Sequence, residues 1–203
     1  TGTYSFKVTK NTPASYTVNF NANGGSVSPT SVIVTAGKSA TLPTPTKKYT
    51  LSYNANNGSG APSSQSVSVS CKGWSTSNTA SSASYSCGSS YKPTTNITLY
   101  AVWYSNGSAT ISSTKPTRSG YTFLGWSTSS SASSASYSSG SSISISSNTT
   151  LYAVWKKNPT TSYTVNYNAN GGSVSPSSAT VTAGNSVTLP TPSKTATITY
   201  NAN

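Results

Sequence analysis

The sequence contains no aspartate, no glutamate and no histidine. An ordinary chain of this length carries roughly two dozen carboxylates, because about a quarter of its residues are charged. General acid–base catalysis near neutral pH depends mainly on these three residue types, and metal sites use them together with cysteine. A serine nucleophile would have only lysine as its base. We therefore expect no enzymatic activity, no metal centre and no cofactor.

The sequence also lacks long apolar runs. No stretch approaches the roughly 20 residues needed to span a bilayer, so membrane insertion is not expected. The chain begins with Thr1 and contains no methionine, which indicates a processed or excised chain without a signal peptide. Only 33% of its residues are hydrophobic. Each folded module should therefore have a thin, aromatic-rich core that needs reinforcement by a disulfide or a neighbour.

Repetition on two scales is the main positive feature of the sequence. Residues 15–56 read SYTVNFNANGGSVSPTSVIVTAGKSATLPTPTKKYTLSYNAN, and residues 162–203 repeat this pattern closely. Residues 72–103 and 124–155 form a second pair, each with Gly-Trp near its start and Leu-Tyr-Ala-Val-Trp at its end. Such periods indicate an array of small repeated units.

The repeats have the pattern of short β-strands joined by tight turns. Tyr16 to Phe20 alternates large apolar with small polar side chains, the period of a half-buried strand. The Asn-Gly that follows is a strong hairpin signal. Residues 31–35 and 40–42 are further predicted strands, residues 97–103 and 149–155 are closing strands, and residues 127–139 fit a loop or one short helical turn. The predicted fold class is mostly β.

These motifs resemble the Listeria–Bacteroides repeat family, the B-repeat modules of internalin-like bacterial surface proteins. The similarity lies in YTVNFNANGG, the LPTPT segment, GYTFLGW at 120–126 and the closing LYAVW. The resemblance implies tandem small β-grasp-like repeat modules, joined end to end in an elongated chain. It also implies an extracellular location, at the bacterial cell surface or secreted.

The sequence departs from the family pattern in two ways. Asn21, Asn148 and Asn168 stand where family members commonly have aspartate, and residues 49–70 have the pattern of an extra hairpin inserted before the first Gly-Trp segment. We therefore divide the chain into five segments. These are an N-terminal strand (1–14), a module with an inserted hairpin and a disulfide (15–103), a short module (104–155), a linker (156–161) and the incomplete first half of a further module (162–203). Thr3 to Asn11 aligns with Thr150 to Asn158, so the N-terminal strand is interpreted as the end of a preceding module.

The two cysteines favour a disulfide. Cys71 and Cys87 align with Phe123 and Ser139 of the other Gly-Trp segment, so a covalent link would replace a lost core contact in a secreted protein. Two buried free thiols are the alternative. A zinc site with two cysteines and no histidine is not expected.

The four tryptophans occupy the same positions in the two Gly-Trp segments. They are Trp74, Trp103, Trp126 and Trp155. This identical placement favours a role in the core of each module, where an aromatic side chain supplies much of the buried area. Stacking against a sugar ring is the alternative.

The charge of the chain is strongly positive, at +12. The adjacent pairs Lys47–Lys48 and Lys156–Lys157 are candidate contacts for an anionic cell-wall polymer or glycan, and a purely solubilising charge is the alternative. Specific nucleic-acid recognition is not expected, because the sequence has no clustered basic patch or basic helix.

Three functional hypotheses follow. The leading one is a non-catalytic extracellular structural repeat protein that forms a bacterial surface stalk or fibre, with neighbouring repeats as its partners. The second is a self-assembling filament subunit in which strands are exchanged through the incomplete terminal modules. The third is a polyanion- or glycan-binding adhesin module.

Overall fold

The protein is built from strands and turns. The computed structural model describes residues 1–5, 7 and 12–202, and this part of the chain contains no helix. Its strands are β1 (Ser15–Asn21), β2 (Ser31–Thr35), β3 (Ala40–Thr41), β4 (Lys47–Asn54), β5 (Gln65–Val69), β6 (Cys71–Ser75), β7 (Ser90–Tyr91), β8 (Ile97–Trp103), β9 (Gly107–Thr110), β10 (Tyr121–Ser127), β11 (Ser142–Ile145), β12 (Thr149–Lys157), β13 (Ser162–Asn166) and β14 (Ser178–Thr182). The predicted mostly-β class is confirmed, and residues 127–139 are a strand end followed by turns and bends.

The first four-stranded sheet has the order β2-β1-β8-β6. β1 pairs antiparallel with β2 and parallel with β8, from Val18 beside Ile97 to Asn21 beside Tyr100. β6 closes the sheet against the other edge of β8, with a register shift between Cys71 and Gly73. The small β3–β7 sheet brings Leu42 to the same core.

The second four-stranded sheet has the order β10-β12-β4-β5 and the same mixed pattern. β4 pairs antiparallel with β5 and parallel with β12, from Leu51 beside Thr149 to Asn54 beside Tyr152. The small β9–β11 sheet supplies Ile111, Ile143 and Ile145 to this second core.

The two modules are interleaved along the chain. Module 1 consists of residues 15–46 and 71–103, and module 2 of residues 47–69 and 107–156. The hairpin over residues 49–70, which we expected as an insertion within the first module, instead forms β4 and β5 of the second sheet. The physical reason for this correction is that residues 104–155 have no hairpin of their own to pair with the closing strand β12. These two modules are therefore not joined end to end.

The chain divides into two compact units, residues 1–156 and residues 157–203. Unit 1 holds both interleaved modules. Unit 2 holds the antiparallel hairpin β13–β14, with Ser162 beside Thr182 and Asn166 beside Ser178. The N-terminal strand expected over Thr3 to Asn11 lies largely outside the described residues.

Candidate functional site

The candidate site is the seam in each module where the first hairpin meets the closing strand. The seam joins β1 to β8 in module 1 and β4 to β12 in module 2. Both pairs are parallel and central in their sheets, and both are long-range contacts that no local turn could make. The integrity of each module therefore depends on the groups that hold this seam.

An asparagine after the hairpin's first strand ties the turn to the closing strand. In module 1, Asn23 lies in the left-handed region with φ of 47°, and its backbone N–H donates to Asn21 Oδ1 at 2.8 Å. The Asn23 side-chain amide donates to the carbonyls of Ala101 at 3.2 Å and Asn78 at 3.0 Å. Asparagine is one of the few residues other than glycine that tolerates this backbone conformation.

Module 2 repeats the same arrangement. Asn56 has a φ of 48°, and its backbone N–H donates to Asn54 Oδ1 at 2.8 Å. Its side-chain amide donates to the carbonyls of Ala153 at 3.0 Å and Ser130 at 2.9 Å. The repetition shows that the hydrogen bonds belong to the module and not to one accidental contact.

A second asparagine holds the other end of each seam. Asn96 Oδ1 accepts the backbone N–H of Thr17 at 2.8 Å, and Asn148 Oδ1 accepts that of Thr50 at 2.9 Å. An ionised aspartate is an acceptor at the same oxygen. The amide of Asn148 therefore provides the acceptor that an aspartate would provide at this position.

Two of the four tryptophans form the centres of the two cores. Trp74 and Trp126 are completely buried, and Trp74 Nε1 donates to the carbonyl of Pro43 at 2.9 Å. Trp126 Nε1 donates to the Ser139 hydroxyl at 3.2 Å. These contacts satisfy the indole N–H groups inside the cores.

The other two tryptophans cover the ends of the seams and are half-buried. Trp103 Nε1 donates to the carbonyl of Ala22 at 3.0 Å, and Trp155 Nε1 donates to that of Ala55 at 2.9 Å. A Cβ at Gly25 would lie 2.7 Å from the Trp103 ring, and one at Gly58 would lie 2.6 Å from the Trp155 ring. Glycine is thus required at Gly25 and Gly58 by the close approach of the indole and of a backbone carbonyl, that of Thr46 in module 1 and that of Thr117 in module 2.

Cys71 and Cys87 are joined by a disulfide. Cys71 begins β6, and Cys87 packs against the module 1 core. In module 2 the aligned Phe123 packs edge-to-face against Trp126 and Trp155, with ring centroids 5.3 and 5.5 Å apart. The covalent link therefore stands where module 2 has an aromatic cluster.

Three chain crossings connect the two modules. They are Thr46 to Lys47, Val69 to Cys71 and Trp103 to Gly107. The last two are linked by a hydrogen bond from the Tyr104 N–H to the Ser70 carbonyl at 3.1 Å. A groove of about 350 Å³ lies at the first two crossings, lined by residues 44–48, 68–71 and Cys87.

The four predicted lysine contacts do not form one patch. Lys47 and Lys48 begin β4, whereas Lys156 and Lys157 end β12. Because these strands are parallel, Lys47 and Lys156 lie at opposite ends of the sheet, roughly 35 Å apart at about 3.3 Å per residue. Lys47 Nζ also lies 5.7 and 5.8 Å from the Tyr49 and Trp103 ring centroids, so part of its environment is aromatic.

Sequence reasoning singled out Asn21 and Asn148, but it missed Asn23, Asn56 and Asn96 and it missed the interleaving. The signal was present: YTLSYNAN at 49–56 repeats YTVNFNAN at 16–23, and both copies carry the same asparagines. Within the described residues, no group of three or more potential metal ligands is found. That same part of the chain has no helix that could span a membrane.

Comparison with known proteins gives one match. The family model of the Listeria-Bacteroides repeat domain matches residues 16–48, 69–102, 104–154 and 163–200. The first two segments together build module 1, and the third is completed by a hairpin that lies mostly between matches. No curated protein matches the chain, and no solved structure does.

Proposed function

Because the chain belongs to the Listeria-Bacteroides repeat family, whose tandem domains are bacterial surface repeats and not a catalytic family, we propose that it is an extracellular, load-bearing stalk or fibre segment. The observation that carries this proposal is the interleaving of modules 1 and 2. Modules joined end to end share one covalent connection, which leaves a hinge. Here three crossings must bend together, so the junction resists both bending and separation.

The direction of the seam supports the same role. In module 1 the first strand, β1, lies beside and parallel to the last strand, β8. Tension applied at the start of β1 and the end of β8 pulls the two strands along their length. The hydrogen bonds between them are evenly spaced in a parallel pair, so they are loaded together and not one after another.

The sheet order also supports a β-grasp-like module. A first hairpin and a parallel central pair give the mixed order of both sheets, and in module 1 the edge strand β6 is antiparallel to β8. Serine-rich turns, at residues 76–84 in module 1, connect the edge strand to the rest of the module. We infer a β-grasp-like sheet in which turns replace the helix that usually packs across it.

Force spectroscopy tests the load-bearing role. Handles are placed on either side of residues 15–156, and the chain is stretched with the disulfide intact. The proposal predicts one rupture that releases the contour length of the whole segment, about 3.6 Å per residue. The loop closed by the Cys71–Cys87 disulfide does not contribute to this length. Two separate ruptures, or extension without a distinct rupture force, would contradict it.

A rearranged variant is the matched control. It carries the residues of the two modules in the order 15–46, 71–103, 47–69 and 107–156, with short flexible linkers in place of Ser70 and residues 104–106, so that each module is continuous. Both sheets keep their strands and their seams, but only one crossing remains. This variant should rupture in two steps, one for each module.

A second candidate function is the binding of anionic polymers. It is favoured by the complete absence of acidic side chains, which leaves the chain's 12 lysines and arginines without carboxylate partners of their own. Binding to an anionic cell-wall polymer or glycan should then weaken steeply between 50 and 500 mM salt, because the Debye screening length falls to roughly 4 Å over this range. Binding that is unaffected by salt would remove this candidate.

A further inference from the structure

The groove at the first two crossings contains the disulfide of module 1. Cys71 and Cys87 both line this groove of about 350 Å³, and both residues are half-buried. The groove is larger than a small organic thiol. Exposed disulfides exchange with external thiols more readily than buried ones do. The disulfide is therefore placed where a small thiol can reach it.

Three lysines lie around the same disulfide. Lys47 and Lys48 line the groove, and Lys72 directly follows Cys71 in β6. Lys47 is paired across the sheet with Val69, two residues before Cys71. Because the chain has no acidic side chain, no carboxylate offsets these charges. The groove is therefore a positively charged environment that attracts anions, the kind of environment in which cysteines are reactive.

The two cysteines differ in their surroundings. Cys71 is a strand residue beside Lys72, and the pairing of Lys47 with Val69 brings the start of β4 close to it. Cys87 lies in a turn. Ammonium groups stabilise a nearby thiolate, and the more stable thiolate is the better leaving group in exchange. Cys71 is therefore the expected leaving group.

Module 2 shows that this fold does not need the covalent link. The aligned Phe123 and Ser139 form no covalent bond, yet Trp126 is completely buried in the module 2 core. Opening of the disulfide should therefore leave module 1 folded, although less stable.

We propose that the Cys71–Cys87 disulfide is a site of thiol–disulfide exchange that favours anionic low-molecular-weight thiols. The thiolate of the incoming molecule attacks Cys87 Sγ, the bond between the two sulfur atoms breaks, and Cys71 leaves as a thiolate that takes a proton from water. The product carries a mixed disulfide on Cys87 and a free thiol on Cys71, so the number of disulfide bonds is unchanged. This modification site goes beyond the load-bearing role, which the stretching experiment tests with the disulfide intact.

The test compares three small thiols of different charge on the folded full chain at low salt. They are mercaptoethanesulfonate, mercaptoethanol and cysteamine, which are anionic, neutral and cationic. Mass spectrometry gives rate constants per thiolate, and division by those for a small neutral disulfide removes differences in intrinsic reactivity. We expect the anionic thiol to react about three- to tenfold faster than the neutral one, with the adduct on Cys87 in a peptide map. Equal relative rates for the three thiols, or an adduct on Cys71, would overturn the proposal.

Matched variants identify the charges responsible. Lys47→Gln/Lys48→Gln should remove most of the preference for the anionic thiol. Lys156→Gln/Lys157→Gln loses the same charge at the opposite end of the sheet and should keep the preference. Because Lys47 also lies over the Trp103 ring, Lys48→Gln alone tests the groove with that contact unchanged, and it too should lower the preference. Equal effects of the two double variants would overturn the proposal, because the charge of the whole chain would then be responsible.

The dependence on urea separates exchange in the folded chain from exchange after unfolding. Reaction in the groove should be nearly independent of urea well below the unfolding transition. A rate that rises with urea from the lowest concentration, without any dependence on thiol charge, would mean that thiols reach the disulfide only after unfolding. That result would also overturn the proposal.

Discussion

Side-chain amides accept the turn hydrogen bonds of this chain that carboxylates could also accept. Asn21, Asn54 and Asn168 each accept a turn N–H through Oδ1, at 2.8 Å in all three hairpins. An aspartate would accept the same bond but would lose its charge on acidification. Fold-critical contacts in this protein are therefore made by groups whose charge does not depend on pH.

The first prediction concerns the dependence of stability on pH. The chain has no aspartate, glutamate or histidine, and these are the side chains whose reference pKa values lie between about 2 and 7. Linkage requires a change in bound protons, so the free energy of unfolding should stay constant across this range. Urea denaturation at pH 2.5, 4, 5.5 and 7 measures it. A loss between pH 5 and pH 3 would contradict the prediction.

Above pH 10 the free energy of unfolding should depend on pH because of Tyr91. Burial, with a further contribution from the neighbouring Tyr85, raises the pKa of Tyr91 above 10.0. A raised folded-state pKa contributes stability that is complete below pH 10 and is lost as the pH rises through the raised value. The variant Tyr91→Phe should therefore lose less stability than the parent chain between pH 10 and pH 11.

The second prediction concerns the seam asparagine of module 1. Asn23→Ala removes the hydrogen bond across the seam to Ala101 and the one to the Asn78 carbonyl. It also places a poorly tolerated residue at positive φ, so it should lower the free energy of unfolding by about 2–4 kcal/mol. Asn23→Gly keeps the backbone conformation and should cost only about 1–2 kcal/mol. Urea denaturation measures both. Equal losses would mean that the left-handed backbone conformation at this position contributes nothing, and no loss in Asn23→Gly would mean that the side-chain hydrogen bonds contribute nothing.

At the scale of the element, the strands followed from local pattern. The alternation at Tyr16–Phe20 predicted β1, residues 31–35 coincide with β2, and residues 97–103 coincide with β8. These predictions are confirmed because the period of a half-buried strand is a local property of the chain.

The pairing of the strands could not be predicted in the same way. The hairpin β4–β5 has an apolar face that either sheet could use, and its choice of β12 depends on contacts about 100 residues away, as in the hydrogen bond between Trp155 and Ala55. The role of the asparagines at the seam could not be predicted for the same reason, because their hydrogen-bond partners Ala101 and Ala153 lie on distant strands. The serine-rich turns have no hydrophobic periodicity, so the sequence does not predict their structure.

The third prediction concerns the disulfide at the second crossing. Cys71 and Cys87 close a loop with a sequence separation of 16. The double variant Cys71→Ser/Cys87→Ser should lose about 3 kcal/mol of stability, the chain-entropy value for a loop of this length. Chemical denaturation of both chains with and without reductant measures the loss. Reductant should destabilise the parent chain and leave the variant unchanged; a variant as stable as the oxidised parent would contradict the prediction.

For the whole molecule, we expect the order of the segments along the chain to determine how cooperatively it unfolds, more than the structure of either module does. Each module alone has a small core around one buried tryptophan, and small cores are marginally stable. Interleaving means that when one module unfolds, its inner segment is still closed into a loop by the folded module, which reduces the entropy that the unfolding segment gains. We expect the two modules of unit 1 to unfold as one cooperative unit, although their sheets and cores are separate.

Native-state hydrogen exchange on the variant Leu151→Ala tests this claim most directly. Leu151 is completely buried in module 2, and its truncation should cost about 2–4 kcal/mol. The account predicts that the opening free energies of amides in β8, in module 1, fall by the same amount as those in β12. In the rearranged variant the loss should stay within module 2. If β12 alone weakens in the parent arrangement, the modules are independent and the claim is wrong.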